Sequence, residues 1–152
     1  MKVKSFKGKL ADGEEKKIRL STNKGLTGYK IKKFQLMTCL PGAGSDYAST
    51  VKLLTQTLNG SAPDSVVDFD SDLILAVAFL SGDSATPNNY LESIIFDNVT
   101  FNQDIFISHN DTYSNQAVNY YIELEQMKLD VNESTVATLK DMRAGPDTNF
   151  SP

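Results

Sequence analysis

The sequence predicts an all-β protein, an antiparallel β-sandwich of the single jelly-roll type that ends in a short C-terminal helix. About seven short apolar segments recur along the 152 residues, separated by loops rich in Asn, Ser, Gly and Pro. Two segments change the parity of their apolar residues, as strands do where they bend around the corner of a sandwich. An immunoglobulin-like sandwich is the alternative, but the chain has one cysteine and no tryptophan to form its Cys…Trp…Cys pattern.

The first third of the chain contains two clear β segments. Lys17–Ser21 alternates between polar and apolar residues, which is typical of a half-buried strand. Tyr29–Leu36 begins with apolar residues at odd positions and continues with apolar residues at even positions. A period of two changes parity only where a residue is inserted, so we expect a β-bulge at Lys32–Lys33. Residues 2–10 supply an eighth strand if the jelly roll is complete.

The middle of the chain contains the most apolar segment. Val51–Thr57 reads as an ordinary strand, whereas Asp72–Leu80 is apolar on both faces. The small side chains of Ala76 and Ala78 leave room for a neighbouring backbone. This pattern predicts a central strand that is covered on both sides. Ser81–Asn89 is polar and contains a proline, which predicts a loop.

The last third predicts three more strands. Ser93–Phe96 and Asp104–Ser108 flank a turn-rich segment and are expected to pair with each other. Val118–Leu124 alternates cleanly, and the apolar parity then changes, so a second bulge is expected near Glu125–Gln126.

A helix is predicted at about residues 131–143. Asp130 and Glu133 have the spacing of a capping box, in which each side chain bonds the other residue's backbone. Apolar residues follow at helical spacing, and Gly145-Pro146 ends the pattern. Residues 145–152 are expected to form a C-terminal tail beyond a single domain of residues 16–144.

Positive charge is concentrated at the start of the chain. Residues 1–33 carry eleven of the fifteen basic residues against three acids, a formal charge of +8, whereas the rest carries four basic residues against sixteen acids, a charge of −12. Such a chain can attract copies of itself, the basic start of one against the acidic body of the next. We therefore expect residues 1–15 to form an extended basic arm. The expected assembly residues are Lys2, Lys4, Lys7, Lys9, Lys16 and Lys17.

Nucleic acid is the less favoured partner for these charges. Ten of the eleven basic residues are lysines, whereas reading of bases normally uses Arg, Asn, Gln and stacked aromatic rings. The net charge of −4 and a pI near 4.9 also oppose general binding to a polyanion. The expected partners are therefore proteins.

No catalytic apparatus is apparent. The single histidine, His109, is expected at the surface where a strand ends, and Pro41–Ser45 is glycine-rich but lacks the spacing and lysine of a phosphate-binding loop. Asp68, Asp70 and Asp72 are a weak calcium candidate, because the glycine and the closing glutamate of an EF-hand loop are missing. We accordingly expect no enzymatic activity and no cofactor.

Targeting signals are also missing. The longest apolar run has eight residues, well short of the roughly 20 that span a bilayer. The basic residues after Met1 do not lead into the apolar stretch of a signal peptide, which predicts synthesis in a cytoplasm.

Three segments carry a family resemblance: Thr27–Ile31, Ile95–Asn98 and Asn119–Glu125. Together with the Asn/Ser/Thr-rich loops, the long penultimate strand and the terminal helix, they resemble small structural proteins in the virions of bacteriophages, especially of marine phages. The resemblance covers Glu15 to Arg143 loosely. It implies a capsid, minor capsid or decoration protein located in the virion, with no catalytic residues.

A second hypothesis is a glycan- or receptor-binding module of a phage tail or spike. Four aromatic residues fall in predicted loops, where their rings could stack on sugars if they cluster. They are Tyr47, Tyr90, Tyr113 and Phe150.

Overall fold

A computed structural model describes residues 2–20, 26–41, 46–83, 86–113, 115–130, 132–133 and 135, with the backbone alone for residues 86–90. It contains eight strands. They are β1 (Lys2–Leu10), β2 (Glu15–Ile18), β3 (Thr27–Thr38), β4 (Tyr47–Leu54), β5 (Ile74–Asp83), β6 (Thr86–Phe96), β7 (Ile105–Asp111) and β8 (Val118–Lys128).

The strands form two antiparallel sheets that face each other as a β-sandwich, which confirms the predicted fold class. One sheet has the order β1–β8–β3 and the other has the order β2–β7–β4–β5–β6. A jelly roll nests the pairs β1–β8, β2–β7, β3–β6 and β4–β5. Three of these pairs are present, but β6 extends the five-stranded sheet beside β5 instead of pairing with β3. The jelly-roll assignment therefore stays a prediction.

The core lies between the two sheets. On β8, the middle strand of the smaller sheet, every second residue from Val118 to Leu124 points inward and is buried. Alternating residues of β4, β5 and β7 meet them from the other sheet, among them Leu53, Ala78 and Ile107. Burying one large apolar side chain stabilises a fold by roughly 1.5–3 kcal/mol, so this interface is the main source of stability.

The bulge predicted in β3 is confirmed. Ile31 pairs with Leu124 but Lys33 pairs with Glu123, which leaves Lys32 unpaired and exposed. The inserted residue allows the apolar side chains before and after it to point into the same core.

The second predicted bulge was wrong. β8 pairs with both neighbours through Glu125 and Gln126 without a change of register. The apolar parity changes there because β8 ends at Lys128, after which the backbone N–H of Leu129 donates to the Leu26 carbonyl over 2.8 Å.

Another register shift lies in the five-stranded sheet. Leu53 pairs with Ala76 and Leu54 pairs with Ile74, so the irregularity falls at Leu75 of β5. This strand is flanked by β4 and β6, and the small residues Ala76 and Ala78 face the other sheet, as expected of a central strand.

The predicted N-terminal arm was wrong, because residues 2–10 are a strand of the three-stranded sheet. β1 pairs with β8 along its whole length, from Lys2 opposite Gln126 to Leu10 opposite Val118. Leu10 is fully buried, so this strand contributes to the core. Residues 11–14 then turn the chain into β2.

Two further local predictions fail in the five-stranded sheet. β6 pairs with β5, and β7 lies between β2 and β4, so the expected β6–β7 pair does not form. The predicted loop at Ser81–Asn89 is partly strand, since β5 continues to Asp83 and β6 begins at Thr86. The polar residues that suggested a loop are tolerated because these strand ends lie toward the edge of the sheet.

The long connection between β4 and β5 crosses the outer face of the five-stranded sheet. Lys52 lies on that face, opposite in parity to the core residues, and its Nζ is 2.8 Å from Oδ1 of Asp64. The side-chain amide of Asn110 donates to the Pro63 carbonyl over 3.1 Å, and Pro63 is buried. The connection is therefore anchored at residues 63–64, and the segment after it is exposed.

The predicted capping box is present. Glu133 N–H donates to Asp130 Oδ1 over 2.7 Å, and Asp130 N–H donates to Glu133 Oε1 over 3.3 Å. Residues 132, 133 and 135 are helical; the rest of the expected helix and the tail at 145–152 lie outside the described residues. The described part of the chain contains no helix long and apolar enough to span a membrane.

We expect substitution of Asp64 to lower stability more than substitution of its ion-pair partner Lys52. Asp64→Asn leaves the ammonium of the buried Lys52 without a charged partner and should lower the free energy of unfolding by about 1–2 kcal/mol, a value reduced by the exposure of Asp64. Lys52→Met removes the charge and keeps the packing, so it should change stability by less than about 1.5 kcal/mol. Urea denaturation of the two variants and the double variant measures this.

The same pair predicts a pH dependence. The hydrogen bond from Lys52 holds the pKa of Asp64 below its usual 3.8. The stabilisation is therefore complete above pH 3.8 and is lost as the pH falls through the lower folded pKa. Asp64→Asn should remove this acid-dependent part of stability; an identical pH profile for the two proteins would contradict it.

Candidate interaction surface

The basic residues of the first 33 positions lie mostly on strands. Three of the expected assembly residues are engaged within the molecule. Lys4 lies over the ring of Tyr29, 5.8 Å from its centroid, and Lys16 Nζ donates to the carbonyl of Lys9 over 2.5 Å. Lys17 Nζ is 3.4 Å from Asp104 Oδ2. These three lysines therefore contribute to the fold itself, whereas Lys2, Lys7 and Lys9 are exposed.

One half of the outer face of the three-stranded sheet is close to neutral. Glu125 and Glu123 lie in the middle strand, and their neighbours on β3 are Lys30 and Lys33. Lys32, the bulged residue, reaches Glu125 with Nζ 3.7 Å from Oε2. Cross-strand pairs of opposite charge are favourable, so these lysines are balanced by the sheet that carries them.

The other half of this face is basic. Lys7 lies opposite Tyr121, and Lys9 lies opposite Asn119, so neither has an acidic residue across the strand pair. Among the described residues, the ion pairs involve Lys17, Lys32 and Lys52, and Lys7 and Lys9 take part in none of them.

A shallow groove of about 540 Å³ crosses the three strands at these lysines. Its two rims are the rows Lys7–Tyr121–Gln35 and Lys9–Asn119–Met37, and the row Gly8–Tyr120–Leu36 between them forms its floor. We call this the basic groove. It combines two exposed ammonium groups, two side-chain amides and the exposed side chain of Met37.

Gly8, in the middle row of the basic groove, leaves room for the ring of Tyr120 on the inner side of the sheet. A Cβ at this position would lie 2.8 Å from the hydroxyl oxygen of Tyr120 and 3.0 Å from its ring carbons. Burial, with a smaller contribution from the charge of Glu14, raises the pKa of Tyr120. The Tyr120 hydroxyl lies on the inner side of the sheet, so the lysines on the rims determine the charge of the groove.

Tyr121 is held at one rim of the basic groove. Its hydroxyl donates to Glu123 Oε2 over 2.7 Å, and this hydrogen bond raises the pKa of Tyr121. Lys33 lies over its ring, 5.9 Å from the centroid. The ring therefore has a defined orientation although it lies at the surface.

An acidic segment lies on the opposite side of the molecule. The acidic loop, residues 64–72, carries four aspartates and no basic residue, and it leaves the outer face of the five-stranded sheet. Val66 and Phe69 are 65% and 59% exposed. The loop thus presents negative charge together with apolar side chains.

The calcium candidate in this loop is not assembled. Asp68, Asp70 and Asp72 lie in turns, where Asp68 Oδ1 accepts the backbone N–H of Asp70 over 3.0 Å, and not on a strand that would point them to one side. In the part of the chain that the structure describes, no group of three or more His, Cys, Asp or Glu side chains could hold a metal ion.

His109 is fully buried, so its predicted place at the surface was wrong. Its Nδ1 is 3.0 Å from the Ala11 carbonyl, and its backbone N–H donates to the Glu14 carbonyl over 3.0 Å. His109 therefore holds the β1–β2 turn against β7. The alternation that buries Ile105 and Ile107 continues to His109, and this parity was the signal that sequence reasoning missed.

The aromatic residues proposed for sugar stacking do not share a platform. Tyr47 packs against the core over Gly82, on the inner side of the five-stranded sheet. Tyr113 is 70% exposed and lies beside Phe79 and Ser81 on the outer side. The side chains of Tyr90 and Phe150 lie outside the described residues.

No protein-family model matches this sequence, and no curated protein matches it. Among solved structures, the chain is similar to a β-fructofuranosidase from Schwanniomyces occidentalis complexed with fructosyl-erythritol, at 13% identity and a TM-score of 0.23. The similarity covers 80% of this chain and 33% of that one, so this chain spans about a third of that structure. A TM-score this low establishes neither a shared fold nor a shared function.

The contact between Tyr121 and Glu123 gives a titration that can be measured. Glu123→Gln should lower the pKa of Tyr121 toward the usual 10.0, because an amide neither repels the phenolate nor holds the hydroxyl proton as strongly. Tyrosine Cζ chemical shifts followed by NMR against pH report this. Glu125→Gln on the same face is the matched control, and an equal midpoint in both variants would show that the hydrogen bond is absent.

Proposed function

We propose that this chain is a non-enzymatic structural component of a virus particle, a capsid, minor capsid or decoration protein that assembles through protein–protein contacts. Its partners are copies of itself and other virion proteins, which it joins after synthesis in the host cytoplasm. The virion assignment is supported by the resemblance of Thr27–Ile31, Ile95–Asn98 and Asn119–Glu125 to phage structural proteins. The mode of assembly is supported by the two charged surfaces.

The observation that carries the proposal is the separation of these two surfaces. The basic groove, with Lys7 and Lys9, lies on the outer face of the three-stranded sheet. The acidic loop lies on the far side of the sandwich, beyond the outer face of the five-stranded sheet. A single copy cannot bring the two together, whereas neighbouring copies can.

The two surfaces are complementary in more than charge. The acidic loop offers Asp68 and Asp70 to the lysines, and its exposed Phe69 and Val66 can cover Met37 at the rim of the groove. Opposite charges in such a contact set register and association rate more than affinity. Burial of the apolar side chains supplies affinity, at about 25 cal/mol per Å² of apolar surface.

A contact between different surfaces of identical copies is heterologous, so a pair of copies keeps one free groove and one free acidic loop. Such contacts close into rings or continue as open chains. Repeated subunit contacts of this kind are what a shell or a tail ring requires.

Charge exchange tests the proposed contact. At about 0.01 M salt, where the Debye length is about 30 Å, the wild-type protein should form larger species in size-exclusion chromatography with light scattering. Lys7→Glu/Lys9→Glu and Asp68→Lys/Asp70→Lys should each reduce the measured mass, since each places like charges together. A mixture of the two variants should restore assembly, because every contact is then again between opposite charges.

Lys2→Glu/Lys128→Glu is the matched control, with the same change in net charge on exposed residues at the other end of the same sheet. It should assemble as the wild type does. The thermal midpoint of Lys7→Glu/Lys9→Glu should stay near that of the wild type, because neither side chain is buried or ion-paired. A wild-type mass that does not depend on salt or on these substitutions would rule out the proposed contact.

The alternative function is a glycan- or receptor-binding module of a tail or spike. It is favoured by the Tyr121 ring and the amides of Asn119 and Gln35, which face one groove and suit sugar hydroxyls. A glycan array separates the two functions. Hits that disappear in Tyr121→Ala, with assembly unchanged, would favour the alternative.

A further inference from the structure

The two sheets of the sandwich have four edge strands, and three of them are protected. An exposed edge presents unpaired backbone groups to any other strand, and lysines, bulges and short length are the usual protection. β2 has only four residues, and β3 contains the bulge at Lys32. The three edges also carry nine lysines: Lys2, Lys4, Lys7 and Lys9 on β1, Lys16 and Lys17 on β2, and Lys30, Lys32 and Lys33 on β3.

The fourth edge, β6, lacks this protection over half its length. It has eleven residues with no lysine or arginine. Pro87, which has no backbone N–H, and the register shift between Thr86 and Tyr90 protect only the start of the strand, and Glu92 is the single charged residue of β6. The segment that follows, Leu91–Phe96, exposes Leu91 at 65%, Ile95 at 51% and Phe96 at 38%. A long apolar edge of this kind is a site for strand addition.

We propose that β6 is a strand-addition site that pairs antiparallel with β6 of a second copy of this chain. The pairing makes the two five-stranded sheets continuous across a two-fold axis. It uses surfaces other than the basic groove and the acidic loop, so it does not rest on the charge-dependent contact.

The register of this pairing is determined by the faces of β6. Leu91, Ser93 and Ile95 point to the outer face. Their partners on β5 are Ser81, Phe79 and Val77, which alternate with the core residues Ala78 and Leu80 and therefore face away from the core. Residues opposed across an antiparallel pair must share a face. A two-fold axis through Ser93 satisfies this condition.

In this register the strand is complementary to itself. Leu91 lies opposite the partner's Ile95, and Ile95 lies opposite the partner's Leu91, so the two most exposed apolar residues of Leu91–Phe96 cover each other twice. Glu92 lies opposite the partner's Ile94 and not opposite a second Glu92, which avoids a direct pair of like charges. A shift by one residue would place the apolar residues on opposite faces. This self-complementarity favours a second copy over an unrelated strand.

The first test measures mass at about 1 M salt, where the Debye length is about 3 Å and the charge-dependent contact is screened. The wild-type protein should be a dimer, and Ile95→Lys should be a monomer, because it places a lysine on the open edge. Ile95 is half exposed, so far-UV circular dichroism and the thermal midpoint should stay unchanged. Val66→Lys, at an exposed apolar residue in the acidic loop, is the matched control and should stay dimeric.

The second test locates the two-fold axis. Ser93→Cys in a Cys39→Ser background should form a disulfide-linked dimer under mild oxidation. Thiols held together have an effective concentration near millimolar, so the reaction of a micromolar sample should be at least about tenfold faster than for Ser61→Cys, an exposed residue in the loop after β4.

The outcomes separate this inference from the proposed function. A wild-type monomer at about 1 M salt, or an Ile95→Lys protein that is still a dimer, overturns the β6 contact. A Ser93→Cys rate equal to that of Ser61→Cys overturns its register. None of these results affects assembly at low salt through Lys7, Lys9 and the acidic loop, and the loss of that assembly leaves a dimer at high salt unaffected.

Discussion

The rest of the structure depends on β8, which lies between β1 and β3 and buries one face against the five-stranded sheet. Val118, Tyr120, Ile122 and Leu124 all point into the core, and Ile122 and Leu124 are fully buried. Because β8 pairs along its length with two strands far away in sequence, it joins the two ends of the chain in one sheet. The bulge at Lys32 follows from this constraint, since β3 must present all of its apolar residues to the same core.

The basic start of the chain has a structural explanation that does not require a partner. Nine of its eleven basic residues lie on β1, β2 and β3, which are edge strands, where lysines prevent unwanted strand pairing. Three of these lysines also contact Tyr29, the Lys9 carbonyl or Asp104. Only Lys7 and Lys9 face outward in a groove without acidic neighbours across the strands, so the proposed contact uses a small part of the charge that the composition suggested.

Features that depend on residues close in sequence could be predicted. The strand at Val118–Leu124, the bulge in β3 and the capping box at Asp130–Glu133 are present, because each is a local consequence of side-chain parity or of spacing. The strand expected at Lys17–Ser21 ends at Ile18, and the second bulge expected from parity is absent. The pairing of β6 with β5 and the location of the basic groove were not predictable in this way, whereas the burial of His109 followed a local alternation that was overlooked. The pairing and the groove depend on which distant strands lie side by side. In the groove, for example, Tyr121 of β8 lies between Lys7 of β1 and Gln35 of β3.

The sequence by itself determined the class of fold, since the alternation of apolar residues and the turn-rich loops leave an antiparallel sandwich as the simplest way to bury one face of each strand. It also determined where the charges lie along the chain. Only the tertiary structure decided which strands became edges, because an edge is defined by the absence of a neighbour and not by any property of the strand itself. For this reason the lysines of residues 2–10 suggested a free arm in the sequence, whereas in the structure they lie on an edge strand that pairs with β8.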